Sequence, residues 1–216
     1  MKALLSDPLS WPKKLGLRLP RKGLKGKVEE RRYWHRFDAK LEQNIPVVIY
    51  QIGKVASSSV YFSLKQVYPG IFLYAHSFQP DHRDWQIRRL YKRVLVERKP
   101  LNIISLTREP VGRNVSAFFE NFERDTGTRY GKHHFSMMEL WKLFLENYDH
   151  EIPLVWFDKH IAEVFDIDVF ATPFPDCGVE SYQEGNRRLL VMKSEIADGF
   201  KVSAIRDFLN LPKFDL

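Results

Sequence analysis

Only one cysteine, Cys177, stands in the whole chain. That excludes an intrachain disulfide and leaves no cysteine-based metal site, a usage that suits a reducing compartment. No stretch approaches the roughly 18 apolar residues that span a bilayer. The opening MKALLSDPLSWPKK has an apolar patch too short and too interrupted for a secretory signal. The expected location is therefore cytoplasmic. Internal repeats and low-complexity tracts are absent, which excludes solenoids and biased linkers. Disorder of the whole chain is excluded by what is present. Of 216 residues, 44% are hydrophobic and 14% aromatic, enough for one domain with a real core.

Acidic residues are scarce in one place only. Residues 1–36 hold 11 Lys/Arg against 3 Asp/Glu, and the remaining 180 residues hold 23 against 24. The net charge of +7 thus belongs to an N-terminal arm, taken as residues 1–27, ahead of a single domain over 28–216. Such an arm reads either as a solvated leader or as a segment that touches acidic lipid headgroups or an anionic polymer. No nucleic-acid-binding motif accompanies the charge, so specific nucleic-acid binding is not expected.

Continuous apolar runs mark strands covered on both faces. They fall at 45–51 (IPVVIYQ), 71–77 (IFLYAHS), 101–107 (LNIISLT) and 187–193 (RRLLVMK). Helical spacing marks 28–42, 57–67 and the amphipathic stretch 81–99. Glu109-Pro110 opens another helix, with proline in the favoured first turn. Ser136 and Glu139 have capping-box spacing ahead of MMELWKLFLENYD. A short helix or turn at WFDKHIAEVF and a last helix at SAIRDFLNL complete the series. Strands alternating with helices predict an α/β fold: three layers, a mostly parallel central sheet with helices on both faces. Ligands of such sheets sit at the carboxyl ends of the strands.

Two motifs lie there. The first is QIGKVASSS, after the first strand. Backbone amides at a helix N-terminus attract anions, helped by the helix dipole. Gly53 lets the backbone approach a ligand, Lys54 brings a cation, and Ser57, Ser58 and Ser59 bring hydroxyl and amide donors. The Walker A pattern needs a second glycine directly before its lysine, and none stands there. The same residues also fit a plain strand-to-helix turn with a serine cap and a solvated lysine. The second motif is LTREPVGRNVSAFFENF. Arg108 follows the third strand, and Ser116 lies eight residues on, about two helical turns. The two could grip one phosphate, assisted by Arg113, since arginine presents a planar fork of donors. Pairing of Arg108 with a nearby carboxylate is the plainer alternative.

Together the motifs resemble the sulfotransferases that use 3′-phosphoadenosine-5′-phosphosulfate (PAPS). REPVGRNVSAFFENF is similar to the carbohydrate sulfotransferases. GKVASSS, TREP and PLVWFDKHIAEVFDIDVFATPFP look most like a bacterial group of capsular-polysaccharide-synthesis proteins, over most of residues 46–210. The resemblance implies a P-loop-like sulfotransferase fold. It implies that the segment Gly53, Lys54, Val55, Ala56, Ser57, Ser58 and Ser59 holds the phosphosulfate, and that Arg108 and Ser116 hold the 3′-phosphate. It also implies an acceptor hydroxyl on a glycan or related molecule. Related proteins usually run on beyond the last helix, whereas this sequence stops at LNLPKFDL.

Sulfuryl transfer needs a base for the acceptor proton and a cation near the leaving oxygen. His76, in YAHSF at the end of the second strand, is the expected base, and Lys54 the expected cation. A histidine merely packed at a strand end is the alternative. His133-His134, with no carboxylate at helical spacing, makes a poor metal site, so no metal is expected. Two other functions remain open: a small P-loop-type nucleotide kinase or phosphotransferase, and a non-catalytic nucleotide-fold module whose arm binds a membrane or an anionic polymer.

Overall fold

The structure is a computed structural model that describes residues 24–216. The basic arm expected at 1–27 lies outside the described residues up to position 23. Helix α1 (Leu24–Gln43) starts within the rest of it. The chain divides into two compact units: α1 and Asn44 belong to the first, and Ile45–Leu216 form the second. Within α1, Tyr33 and Phe37 stack with centroids 6.5 Å apart, and Trp34 meets both rings edge-on. That is the aromatic stripe its spacing suggests.

The second unit is built on a five-stranded sheet in the order β2-β1-β3-β5-β4. Its strands are β1 (Val47–Tyr50), β2 (Phe72–Ala75), β3 (Leu101–Thr107), β4 (Val179–Glu184) and β5 (Arg187–Lys193). β1, β2, β3 and β5 are parallel, and β4 runs antiparallel to β5. β1 is buried along its whole length and β3 up to Leu106. That is why their sequences are continuously apolar rather than alternating.

β4 is the strand that the residue pattern concealed. Its sequence, VESYQE, is polar because it is an edge strand with much of its length exposed. It reaches β5 through Gly185-Asn186, with Gly185 at φ 57°. A Gly-Asn pair between two strands is itself a hairpin signal.

Helices cover both faces. Tyr50 points to one face, where it meets Trp156 and Phe165 at 5.4 and 5.8 Å. These rings belong to α7 (Ile152–Phe157) and α8 (Glu163–Phe165), joined by a π-helical turn. On the opposite face Arg188 lies 4.5 Å over the ring of Phe208 from α9 (Asp198–Leu209). The other helices are α2 (Ser58–Val67), α3 (Trp85–Tyr91, prolonged by a π turn to Val96), α4 (Pro110–Glu120), α5 (Phe122–Thr126) and α6 (Met137–Asn147). The capping box expected at Ser136 and Glu139 is present in both directions. The long helix expected after Glu109-Pro110 breaks at Asn121 into α4 and α5. α4, α5 and α6 share an aromatic cluster of Phe118, Phe122, Phe144 and Tyr148. Burying a side chain of this size stabilises by about 1.5–3 kcal/mol. The cluster therefore fixes α4, which carries half of the candidate site. No helix among the described residues is long and apolar enough to cross a membrane.

Candidate anion site at the carboxyl edge of the sheet

Parallel strands β1, β2 and β3 end side by side, and the candidate residues follow them directly. Gln51–Ser57 leave β1, His76 follows β2, and Arg108 follows β3. The loop after β1 has an unusual backbone. Lys54 and Ala56 adopt left-handed φ values of 72° and 57°, while Val55 between them does not. Each non-glycine residue held this way costs about 1–2 kcal/mol. Alternation of this kind turns successive amides toward a common hollow, the geometry that cradles anions. Gly53 itself is not left-handed. A β-carbon there would meet only His76 Cε1, at 3.9 Å. The left-handed strain sits on Lys54 and Ala56, and the space beside Gly53 is open apart from the His76 ring.

Two arginines hold the loop from behind. Arg113 Nε donates to the Gly53 carbonyl at 3.0 Å, and Arg108 Nη1 donates to the Lys54 carbonyl at 3.3 Å. In a trans peptide the N–H points opposite to the C=O. The amides of Lys54 and Val55 therefore face away from the two guanidiniums. Neither makes a hydrogen bond among the described residues. Ser57 begins α2 without a side-chain cap, so the first-turn amides of Ser58 and Ser59 are also open.

The Ser57 hydroxyl turns inward instead. Ser57 is buried and bonds Gln51 Nε2, with Tyr74 at 3.4 Å from its oxygen. Of the three serines, Ser58 and Ser59 are exposed and Ser57 is not. Val55 is buried as well, so its side chain is not offered to a ligand. Gln51 was not singled out from the sequence, yet it organises the site. Its Oε1 accepts from Leu106 N at 3.3 Å, and its carbonyl accepts from His76 Nδ1 at 2.9 Å. A polar residue ending an otherwise apolar run was the available signal.

The His76 contact sets the chemistry of the ring. A carbonyl oxygen can only accept, so Nδ1 carries the hydrogen in this contact. In the neutral ring Nε2 then keeps its lone pair. His76 is exposed, so Nε2 is accessible to a proton donor.

α4 lies alongside. Glu109 caps it by accepting from Val111 N at 2.8 Å and Gly112 N at 2.7 Å. These amides, that of Gly112 first, hold the Glu109 carboxyl below its usual range, with Arg108 adding to the effect. A β-carbon at Gly112 would stand 3.2 Å from Glu109 Oε2 and 3.7 Å from Arg108 Nη2, so glycine makes room for both. Positions 112, 116 and 120 form one stripe at i, i+4 and i+8. Gly112 borders Arg108, and Glu120 Oε1 lies 3.4 Å from Lys54 Nζ. Ser116 therefore sits between the two cations along the helix.

Arg113 does not assist at the surface as expected. It is 7% exposed, and besides Gly53 its Nη1 bonds Asn114 Oδ1 at 3.0 Å and Tyr148 Oη at 2.6 Å. Burial raises the Tyr148 pKa, against the pull of Arg113, so the phenol remains a neutral partner. Tyr148 and Glu120 also escaped notice in the sequence: Tyr148 lies outside both motifs, and Glu120 lies within the second without being singled out.

Beside the arginine end lies a cleft of about 410 Å³. It begins at Thr107, the residue before Arg108, and is walled by Phe157, Phe170 and Phe174 among others. His133 and His134 are exposed. No group of three metal-ligating side chains occurs among the described residues.

The fold is that of an α/β protein with a mostly parallel sheet. A loop whose Lys54 and Val55 amides are unbonded among the described residues lies at the carboxyl edge of that sheet. No family model matches the chain, and no curated protein or solved structure matches it.

Proposed function

We propose that the protein is a PAPS-dependent sulfotransferase that modifies a hydroxyl of a glycan or related acceptor. The observation that carries this reading is the loop itself. Unbonded amides of Lys54 and Val55 and an uncapped helix start follow β1, with the Lys54 ammonium held by Glu120 of the next helix, while a histidine whose Nδ1 is bonded to Gln51 follows β2. That combines an anion cradle with a base, which a merely structural turn does not need.

The donor set suits the cofactor. The loop amides and Lys54 would hold the phosphosulfate, and Arg108 with Ser116 the 3′-phosphate. The aromatic walls of the cleft beyond Thr107 suit a nucleobase. PAPS, when bound, supplies the sulfuryl group and leaves as adenosine 3′,5′-bisphosphate. The chain's own residues do the rest. His76 Nε2 takes the acceptor proton, and its Nδ1–H keeps the ring aimed by bonding Gln51. Lys54 offsets negative charge on the departing phosphate oxygen, for which its ion pair with Glu120 must open. Arg113 never touches the nucleotide; it positions the loop.

A kinase of the P-loop type would use magnesium, and QIGKVASSS lacks the glycine before its lysine. The test is calorimetric titration of adenosine 3′,5′-bisphosphate, without magnesium, into wild type and Arg108→Ala. AMP, which lacks the 3′-phosphate, is the control. Micromolar binding of the bisphosphate, weak binding of AMP and loss in the variant support the reading. Absence of bisphosphate binding at micromolar levels sinks it.

A further inference from the structure

Helix α6 is apolar on two sides. One side packs Leu140, Leu143 and Phe144 into the aromatic cluster. The side that faces water is expected to be polar. Instead Met137, Met138, Trp141 and Leu145 are 71%, 78%, 48% and 63% exposed. Residues 137, 141 and 145 follow an i, i+4, i+8 spacing, and Met138 falls beside them. The four make a stripe about 100° wide. The carboxylates of the helix lie off this stripe and are engaged. Glu139 accepts from Ser136, and Glu146 lies 4.0 Å from Lys142.

Just before the helix, residues 129–134 are all exposed. They carry Arg129, Lys132, His133 and His134 with no carboxylate, and Tyr130 stands 55% exposed among them.

We propose that this face docks on the headgroup layer of an anionic bilayer. Met137, Met138 and Leu145 would enter the acyl boundary. Trp141 and Tyr130 have the amphipathic rings that settle at that depth. Arg129 and Lys132 reach the lipid phosphates while their stems lie over apolar surface. Charge complementarity selects this occupant. A protein partner would press against an apolar core depleted of lysine and charge, whereas here the helix that carries the apolar stripe is preceded in the chain by an exposed, acid-free cationic run. The proposal stands apart from the sulfotransferase reading, since it uses none of the loop residues.

The test uses the full chain and sedimentation with vesicles. One set is pure phosphatidylcholine, and in the other part of it is replaced by phosphatidylserine. Met138→Ser/Trp141→Ser removes the apolar anchors, and Arg129→Gln/Lys132→Gln removes the cations. Arg129, Lys132 and Met138 are well exposed, and Trp141 gives up one edge-on contact with Phe144. A small fall in the urea midpoint is therefore expected for the apolar variant and none for the cation variant, both remaining folded. Wild type should prefer the anionic vesicles. The apolar variant should lose at least about tenfold in affinity, and the cation variant roughly fivefold per residue. Anionic vesicles should shift Trp141 emission to the blue, read as the difference between wild type and Trp141→Phe. Unchanged binding of both double variants overturns the proposal and leaves any membrane contact to the N-terminal arm. Absence of vesicle binding overturns it too. So does self-association of the wild type that Met138→Ser/Trp141→Ser abolishes without any vesicle effect, because the face is then a protein interface.

Discussion

Replacing Arg113 by methionine removes a buried guanidinium while keeping much of its volume. The side chain donates to Gly53 O at 3.0 Å, Asn114 Oδ1 at 3.0 Å and Tyr148 Oη at 2.6 Å. A hydrogen bond from a charged donor contributes about 1.5–3 kcal/mol net. Three such bonds would amount to roughly 4–9 kcal/mol. Methionine also abolishes the desolvation of the cation, a burden of several kcal/mol. The balance is a destabilisation of about 2–4 kcal/mol, set by the acceptors left unpaired. Urea unfolding with an unchanged m-value measures it. The second readout is titration of adenosine 3′,5′-bisphosphate into the folded variant. With the Gly53–Lys54 peptide released, the left-handed Lys54 loses the contact that offsets its strain. Binding should weaken by about tenfold or more, as 1.4 kcal/mol of loop reorganisation corresponds to tenfold. A stability loss under about 1 kcal/mol would refute the bracing role. Full stability loss with unchanged affinity would show that Arg113 holds the fold but not the loop.

Glu120→Gln removes the carboxylate that engages Lys54 at 3.4 Å. Because that pair is partly exposed, the gain in bisphosphate affinity should be small, about two- to fivefold, and should fade with added salt. His76→Asn should leave bisphosphate affinity unchanged while PAPS turnover with a panel of saccharide acceptors falls about 10²–10⁴-fold; a matching loss of affinity would mean that His76 binds phosphate instead. His160, half-buried against Trp156 and bonded to the Tyr50 hydroxyl at 2.9 Å, has its pKa lowered by burial. The unfolded chain then binds the proton more readily. Stability from this group is complete above the ordinary value of 6.5 and declines as pH falls from there toward the folded value. Urea midpoints taken across that window should fall in wild type and stay flatter in His160→Gln.

Apolar runs made β1, β2, β3 and β5 legible. β1 and β3 are buried on both faces. β2 is the other edge strand and alternates half-buried Phe72 and Tyr74 with buried Leu73 and Ala75, against the expectation of cover on both faces. The strand at 187–193 has the bounds its sequence suggests. β4 was hidden because none of its residues is buried, so VESYQE carries no apolar run. Lys54, His76 and Arg108 could be picked out because each directly follows a strand, and strand ends are local features. Glu120 and Tyr148 could not, and Gln51 showed only as a polar end to an apolar run. Their roles depend on partners between 25 and 66 residues away in the chain. The three serines looked alike in sequence, and only the position of Gln51 and Tyr74 separates Ser57 from its neighbours.

By itself the sequence determined the class of fold, the presence of cations and hydroxyls after β1, and the absence of an intrachain disulfide. These follow from composition and short-range periodicity, which the chain carries wherever it goes. The tertiary structure decided how the groups after the strands are oriented. Arg108 and Arg113 turn two carbonyls backward and so two amides forward, Gln51 orients the His76 ring, and Glu120 sits beside Lys54. The physical reason is that hydrogen-bond direction is set by the partner's position in space, and that position exists only once distant segments have packed.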